Sequence, residues 1–323
     1  MRAIVIPQFG DPDVLELREV PIPQPGAGEV SIRVAYVGIN FADIMIRQRG
    51  YMGAQLPFIP GYEVAGYIHA IGEGVEGLRI GQPVAAVTVK GGYAEFALAS
   101  ALLTFPLDQQ IELATAAAFP AVGLTAYNLL VDVARLRPGE SVLVHAAAGG
   151  VGTIAAQIAR HLGAGQIIGT VGSQDKIAYA LSAGYDHVVL RENFAQAVQE
   201  ITHGKGVDVV LDSVGEPART QSLSLLAPFG RLVVFGNAGN QPDISVTPMS
   251  LLVGSRAIMG YSITGLTQSA PHLVAETARK AFPLLANGEV RIDITTILPL
   301  EQAAEAHRLM DTRAATGKLL LRL

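Results

Sequence analysis

Short runs of apolar residues, interrupted by Gly and Pro, fill residues 1 to about 120 and predict a β-rich region. Turn signals recur between the runs, as at residues 21–26, 72–74 and 90–92. Because the runs are short and the turns frequent, the pattern is typical of a sheet that curls into a partial barrel. Strands are predicted at residues 3–6, 30–37, 64–71 and 84–89.

The pattern changes at about residue 123, where strand-length apolar runs begin to alternate with stretches of helical period. Such alternation predicts parallel strands joined by right-handed crossovers, with ligands bound at the carboxyl ends of the strands. After this region a helix (271–286), a strand (292–297), a helix (300–310) and a strand (318–321) are expected to complete the first domain. The alternating region has predicted strands at residues 141–145, 166–171, 187–190, 207–211, 231–235 and 256–259, and predicted helices at 176–183, 194–202 and 218–226.

One strand–turn–helix segment in the alternating region carries the pattern of a dinucleotide-binding turn. Ala147, Gly149 and Gly152 occupy the three small positions of that fingerprint, with Ala in place of the first Gly. Gly150 and Val151 lie between them and are predicted to contact the cofactor as well, because a helix N-terminus presents N–H groups to phosphates. The alternative is a turn that is tight for structural reasons only. The flanking strand and helix favour nucleotide binding.

The end of the next predicted strand bears on which nicotinamide cofactor is bound. A unit that binds NAD places Asp or Glu there to hold the ribose 2′-hydroxyl. In this chain Gly172 and Ser173 follow the strand, no acid stands at its tip, and Lys176 adds a cation nearby. A carboxylate would repel a 2′-phosphate and an ammonium would attract it, so these residues favour NADP(H). The alternative for Lys176 is a solvated lysine in the first turn of a helix.

The composition excludes several classes of protein. Half of the 323 residues are hydrophobic and 16% are charged, which predicts a large core and an oligomer interface. A net charge of −5 argues against a nucleic-acid surface. Pro7 interrupts the first apolar run too early for a signal peptide, and the uncharged stretches 113–131 and 141–159 contain Gly and polar residues, so we expect a cytoplasmic protein without a membrane span. The chain has no Cys, which excludes disulfides, thiolate nucleophiles and Cys-based zinc sites.

Several short motifs follow one another along the chain: GINFAD at 38–43 with Arg47 and Tyr51, PGYEVAG at 60–66, GGYAE at 91–95, GLTAY at 123–127, DSVG at 212–215 and FGN at 235–237. In order and spacing they resemble the zinc-independent quinone oxidoreductases of the zeta-crystallin-like branch, within the medium-chain dehydrogenase/reductase superfamily. The resemblance covers the whole chain. It implies an α/β fold with a GroES-like β-rich catalytic domain (1–122, completed by 265–323), a Rossmann domain with a doubly wound parallel sheet (123–264), and NADPH in the cleft between them.

The same motifs distinguish the chain from the zinc-dependent alcohol dehydrogenases of the superfamily. Those enzymes have His where this chain has Tyr62, and a ligating Cys in the earlier motif. Catalytic zinc needs three ligands and an open position. Since the seven His are scattered, with no two at helical i, i+4 spacing, we expect no metal site. The expected reaction is therefore reduction of an electrophilic quinone or α,β-unsaturated carbonyl, which accepts hydride directly.

The resemblance implies that Asn40 and Tyr51 line the cleft beside the nicotinamide and that Arg47 supports them. An amide or a phenol in that place hydrogen-bonds the developing oxyanion or delivers a proton. Two alternatives stay open. In the first, Tyr51 only packs as an aromatic residue at the rim of the cleft. In the second, Arg47 only forms an i, i+4 ion pair with Asp43 on a helix.

Further cofactor contacts are implied by the resemblance. Thr125 would lie near the nicotinamide amide or the diphosphate, and Asn237 would border the nicotinamide ribose. The alternative for Asn237 is a turn residue that caps Gly236. Relatives often place a Tyr after the third strand of the domain, against the 2′-phosphate. This chain has Leu190 there, and the following Arg191 is predicted to bind the phosphate through its bidentate fork. The alternative is a selectivity for NADP(H) weaker than in those relatives.

Together these features predict an NADPH-dependent quinone or enone reductase. Two other functions remain open: an enoyl-thioester reductase, which shares the hydride step, and a nucleotide-binding protein with little turnover. The apolar segment 256–263 is predicted to be an edge strand of the parallel sheet. Because an uncovered edge invites aggregation, we expect its symmetry mate to cover it in a homodimer. A loop or helix of the same chain is the alternative cover.

Overall fold

The chain folds into two compact units in the computed structural model, which describes residues 1–50, 53–88 and 90–323. One unit comprises Met1–Leu124 and Ile263–Leu323, and the other comprises Thr125–Ser262. The domain boundaries predicted from the sequence, after residues 122 and 264, each lie two residues from the boundaries of these units.

Fifteen strands and eleven α-helices are found in the described residues and are numbered here in chain order. The strands are β1 (Arg2–Val5), β2 (Glu16–Glu19), β3 (Glu29–Gly38), β4 (Glu63–Ile71), β5 (Pro83–Val87), β6 (Phe96–Ser100), β7 (Thr104–Pro106), β8 (Ser141–Val144), β9 (Gln166–Val171), β10 (His187–Leu190), β11 (Val207–Asp212), β12 (Leu226–Val234), β13 (Ala257–Gly260), β14 (Ile294–Pro299) and β15 (Lys318–Arg322). The α-helices are α1 (Phe41–Arg49), α2 (Leu113–Ala117), α3 (Pro120–Asn128), α4 (Gly150–His161), α5 (Ile177–Ser182), α6 (Phe194–Ile201), α7 (Ala218–Ser224), α8 (Pro248–Gly254), α9 (Ile263–Ser269), α10 (Pro271–Ala286) and α11 (Ala303–Asp311).

A seven-stranded mixed sheet forms the base of the first unit, in the order β14-β15-β3-β4-β5-β7, with β6 also paired to β3. Its long strand β3 buries Val30, Ile32 and Val34 in one apolar core. All three strands paired with β3 run antiparallel to it, and Gly38 at its end faces Leu320 of β15 on one side and Glu63 of β4 on the other. This register brings the end of β3, the start of β4 and the start of β15 together.

The second unit contains a six-stranded, fully parallel sheet in the order β10-β9-β8-β11-β12-β13. The strand order reverses beside β8, and ligands of such sheets bind at the carboxyl ends of the strands next to that reversal. Leu143, Ile168, Val210 and Leu232 are completely buried in the sheet, and Phe194 of α6 packs into the same core. The fold class predicted from the sequence is therefore confirmed.

Element boundaries differ from the predictions in a few places. The strand predicted at 231–235 begins earlier, because Leu226 already pairs with Val207 of β11, and α7 accordingly ends at Ser224. The strand predicted at 84–89 ends at Val87, and residue 89 lies outside the described part. The last predicted helix begins with a 3₁₀ turn at Leu300–Gln302 before α11, and β14 spans Ile294–Pro299 rather than 292–297.

The described helices are short. The 16-residue α10 contains charged residues such as Arg279 and Lys280. Within the described ranges no helix combines the length and the apolar character needed to cross a membrane.

Candidate functional site

The turn between β8 and α4 has the geometry that a dinucleotide fingerprint requires. Gly149 is the N-cap of α4, and Gly150 and Val151 are partly exposed at the helix start, where backbone N–H groups have no partner within the helix. A Cβ on Gly152 would lie only 2.5 Å from the carbonyl oxygen of Ala146. A side chain at Gly152 would therefore push the helix away from the turn, and only glycine lets it approach so closely.

The alanine in place of the first fingerprint glycine is accommodated by the neighbouring strand. A Cβ on Gly169 of β9 would lie 2.6 Å from the Cβ of Ala147, so the glycine on β9 creates the space that the methyl group fills. Tyr185, which is 5% exposed, donates its hydroxyl hydrogen to the carbonyl oxygen of Gly152 at 2.7 Å. Neither Gly169 nor Tyr185 stands out in the sequence, because their contacts arise between segments that are distant along the chain.

Two cations that interact electrostatically, Lys176 and Arg191, follow the second and third strands of the parallel sheet. A Cβ on Gly172 would be 3.6 Å from a terminal nitrogen of Arg191, which places this guanidinium beside the end of β9. Burial lowers the pKa of Lys176, and the charge of Arg191 lowers it further while Asp175 opposes both. The hydrogen bond from Ser173 lowers the pKa of exposed Asp175. The structure thus brings together Gly172, Ser173, Lys176 and Arg191, and Asp175 contributes one carboxylate at the same place.

Asn237 follows β12 in a loop that is fixed by a buried ion pair. Asp212 accepts hydrogen bonds from the backbone N–H of Gly215 and from Nε of Arg219, at 3.0 and 2.7 Å. A second guanidinium nitrogen of Arg219 donates to the carbonyl oxygen of Gly236 at 2.7 Å. The Asn237 side-chain amide donates to the carbonyl oxygen of Gln241 at 2.9 Å, whereas the capping alternative has it bonded to Gly236.

The carbonyl oxygen of the Asn237 side chain is buried and accepts no hydrogen bond from the described residues. A buried polar oxygen of this kind normally has a partner, so its position at the carboxyl end of β12 fits contact with a bound ligand. Thr125, the other residue predicted near the nicotinamide, lies in α3 and is 6% exposed.

In the first unit, Asn40 precedes α1 and its side chain is held at both ends. Its amide nitrogen donates to a carboxylate oxygen of Glu63 at 2.9 Å and to the carbonyl oxygen of Gly38 at 3.3 Å. Its amide oxygen accepts a hydrogen bond from Nζ of Lys318 at 2.9 Å. Both hydrogens of the Asn40 amide are therefore used within the unit, the one directed at Gly38 in the longer bond.

Arg47 does not take the place predicted for it. Its side chain is completely buried and donates to Asp311 of α11 at 2.6 Å. The alternative ion pair with Asp43 is also wrong, because the Asp43 carboxylate accepts instead from the backbone N–H groups of Asn40 and Gly61 at 2.9 and 3.2 Å. The helix turns the Arg47 side chain inward, toward α11. Tyr51, predicted beside it, lies outside the described residues.

A buried polar group of side chains lies beneath α1. The hydroxyl of Tyr93 is 3.5 Å from an oxygen of Asp43 and 3.1 Å from Nε2 of His307. Burial raises the pKa of Asp43 to about 6 and lowers the pKa of His307 to about 3. All three side chains are buried, so they fix the position of α1 rather than contact solvent.

Sequence reasoning missed three ion pairs that each contain a buried charge: Glu63 with Lys318, Asp212 with Arg219, and Arg47 with the partly exposed Asp311. Glu63 and Asp212 do lie within the recognised motifs PGYEVAG and DSVG. Their partners carry no local signal, because a buried charge acquires its partner through the fold.

Comparison with known proteins finds a matching protein family for a large part of each unit. Residues 26–109 match the alcohol dehydrogenase GroES-like domain and residues 150–279 the zinc-binding dehydrogenase family. The chain is similar to the quinone oxidoreductase of Homo sapiens, 33% identical over 100% of this chain and 98% of that protein. It is 37% identical to the quinone oxidoreductase of Pseudomonas aeruginosa, with 97% of both proteins covered. The structure of Escherichia coli quinone oxidoreductase complexed with NADPH superposes with a TM-score of 0.91, at 33% identity over 100% of both chains.

Zinc, which the name of the second matching family suggests, does not fit the residues of the first unit. The buried hydroxyl of Tyr62 lies 3.1 Å from Oγ1 of Thr267. The adjacent Glu63 is neutralised by the ammonium group of Lys318 at 2.7 Å. Across the part of the chain that the structure describes, no three His, Cys, Asp or Glu side chains form a cluster that could hold a metal ion.

Proposed function

The chain belongs to the quinone oxidoreductase family of the medium-chain dehydrogenase/reductase superfamily, and on this basis we propose that it reduces quinones by hydride transfer from NADPH without a metal ion. The observation that carries the proposal is full-length similarity to named quinone oxidoreductases in a chain whose fingerprint turn keeps glycine at position 152. A reductase of this kind is proposed to act in the cytoplasm.

NADPH is the cofactor that the second unit fits best. Its pyrophosphate would lie on the N–H groups at the start of α4, at Gly149 to Gly152, where the dipole of the helix favours negative charge. The adenosine 2′-phosphate would lie beside Lys176 and Arg191, because an ammonium and a guanidinium group attract a phosphate and hydrogen-bond its oxygens. The buried oxygen of Asn237 supplies an acceptor for the nicotinamide ribose, and Thr125 is proposed to border the nicotinamide.

The chemistry proposed for the first unit is polarisation of the acceptor. When bound, NADPH supplies the hydride, and a quinone already accepts it without Lewis-acid activation. Asn40 offers the amide hydrogen that is held more weakly, the one in the 3.3 Å N···O hydrogen bond to the Gly38 carbonyl, to the oxygen that becomes negative. Tyr51 is proposed to contribute a phenol to the same oxygen. Buried Arg47 is proposed to act only by holding α1 against α11 through Asp311.

The proposal is tested by measuring NADPH oxidation by the purified protein with a benzoquinone, a simple enone and an enoyl thioester as separate acceptors. We expect turnover with the quinone, less with the enone, and no loss of rate after exhaustive treatment with a metal chelator. Turnover with the thioester alone would favour the enoyl-thioester reductase. Tight NADPH binding without turnover of any acceptor would make the chain a binding protein.

A homodimer formed through the second unit is the assembly we propose. Strand β13 ends the parallel sheet, so its outer N–H and C=O groups are available to another strand. The preceding helix α8 carries three exposed apolar side chains, Met249, Leu252 and Val253, which are 63%, 70% and 78% exposed. Pairing of β13 with its symmetry mate would close the edge, and a two-fold axis would bring these apolar groups into the same interface.

A further inference from the structure

Lys318 and Glu63 form a fully buried ion pair in the first unit, and neither residue has a role in the function proposed above. The three donors of Lys318 are all used: they bind a Glu63 oxygen at 2.7 Å, the Asn40 amide oxygen at 2.9 Å and the Ile39 carbonyl oxygen at 2.9 Å. Lys318 is 3% exposed and Glu63 is 0% exposed. A lysine with this burial and every donor satisfied holds its neighbours in one geometry.

The sheet register explains how the pair reaches Asn40. Leu320 faces Gly38 in the antiparallel pairing of β15 with β3, so the same register places Lys318 opposite Asn40. On the other side of β3, Glu63 faces Gly38, and a Cβ on that glycine would lie 2.3 Å from the Glu63 carboxylate. Glycine at position 38 therefore leaves the space in which the carboxylate lies.

Glu63 is itself fixed from a third direction. Its second carboxylate oxygen accepts a hydrogen bond from the backbone N–H of Ala121 at 2.7 Å, in the first turn of α3. Negative charge is stabilised at a helix N-terminus, so this contact fixes the rotamer of Glu63. With one oxygen held by α3, the other can meet only the Asn40 amide and the Lys318 ammonium.

We propose that Lys318, with Glu63, is a positioning residue for the quinone-reductase reaction: it fixes the Asn40 carboxamide and strengthens it as a hydrogen-bond donor. This inference rests on the proposed function, in which Asn40 donates to the acceptor oxygen. An ammonium on the amide oxygen draws electron density from the amide nitrogen, and hydrogen-bonded chains strengthen one another in this way. The ammonium also prevents rotation of the amide, which would present an oxygen to the substrate in place of an N–H.

The test is a double-mutant cycle between Lys318 and Asn40. Lys318→Met removes the three donors while keeping an unbranched chain, and we expect kcat with a quinone to fall at least about tenfold. In the Asn40→Ala background, the same Lys318→Met change is expected to alter kcat by less than about twofold, because the residue through which Lys318 acts is gone. The dissociation constant of NADPH is expected to stay unchanged, since the cofactor residues lie in the other unit.

A purely structural role would give a different result. Lys318→Met would then lower kcat by the same factor in both backgrounds, which would overturn the proposal, as would an unchanged kcat in the parent. If Lys318→Met alone fails to fold, Lys318→Met with Glu63→Gln avoids the unpaired buried carboxylate and is compared with Glu63→Gln alone. Arg231→Met is a matched control, because it breaks the partly buried Arg231–Glu140 pair in the other unit. It should lower stability without changing kcat. Absence of quinone turnover by the parent protein would refute the proposed function instead.

Discussion

Acid should destabilise the second unit through one histidine that stands between the first strand and the fingerprint turn. The ring of His145 is 1% exposed, and its nitrogens lie 2.9 Å from Oγ1 of Thr170 and 2.7 Å from Oγ of Ser222. The edge of the ring packs against Phe194 at a centroid distance of 4.9 Å. Because charging this ring would remove a cation from water, burial lowers the pKa of His145 to about 4; the charge of Asp212 opposes this shift and that of Arg191 adds to it.

The direction of the effect follows from the proton balance. Unfolded His145 takes up a proton near pH 6.5, whereas the folded form resists protonation until about pH 4. Stability from this residue is therefore fully present above pH 6.5 and is lost as the pH falls through the folded pKa. Over the whole interval the loss is roughly 3 kcal/mol, and between pH 7 and pH 5 it is about 2 kcal/mol.

The measurement compares how the free energy of unfolding depends on pH in two proteins. Urea titrations at pH 7 and pH 5, followed by circular dichroism, give the decrease in the free energy of unfolding between the two pH values. They are made for the parent and for His145→Gln, whose side chain cannot titrate. The variant is expected to be less stable at pH 7, since Thr170 and Ser222 lose their ring partner, but its drop should be smaller by about 2 kcal/mol. Buried Asp43, whose pKa burial raises to about 6, and His307 titrate equally in both proteins and cancel in the comparison.

Exposed His187 on β10 provides the control. His187→Gln makes the same side-chain change at an exposed site and is measured in parallel. Equal drops for the parent and His145→Gln would refute the reasoning, because they would mean that the buried ring is either protonated in the folded state or freely hydrated.

Three further predictions concern the nucleotide unit. Gly152→Ala should lower the free energy of unfolding by about 3 kcal/mol and abolish NADPH binding, because its Cβ would lie 2.5 Å from the backbone oxygen of Ala146. Gly149→Ala, whose Cβ would lie 3.3 Å from the same oxygen, should have a far smaller effect on both quantities, as measured by thermal melts and fluorescence titrations. Lys176→Ala and Arg191→Ala should each weaken NADPH binding roughly tenfold and NADH binding little, and equal losses for both cofactors would place the phosphate elsewhere. Ile258→Lys on the edge strand should convert a dimer of about 68 kDa, twice the 33.9 kDa chain, into monomers in light scattering, and a parent that is already monomeric would exclude this interface.

The chain pattern identified the six strands of the parallel sheet because their signal is local. Strands β9 and β10 begin and end at the predicted residues, and so does α10 of the first unit, since each is an apolar run or a helical period bounded by turn residues. The predicted boundaries were wrong where pairing with a neighbouring strand decides where a strand begins. Leu226, for example, belongs to β12 because it pairs with Val207 of β11. The predictions for Lys176, Arg191 and Asn237 rest on the motif and stay predictions.

The sequence by itself determined the class of fold, the fingerprint turn and the lack of cysteine ligands, because composition and short-range periodicity carry that information. The tertiary structure alone decided which charges are paired. Arg47 meets Asp311 instead of Asp43, four residues away, and Lys318 reaches Glu63 across 255 residues of chain. It also decided that Ala147 fits where a glycine is usual, because Gly169 leaves the space on the next strand. Sheet register sets such long-range contacts, and a buried charge or methyl group is stable only where the register supplies its partner or its space.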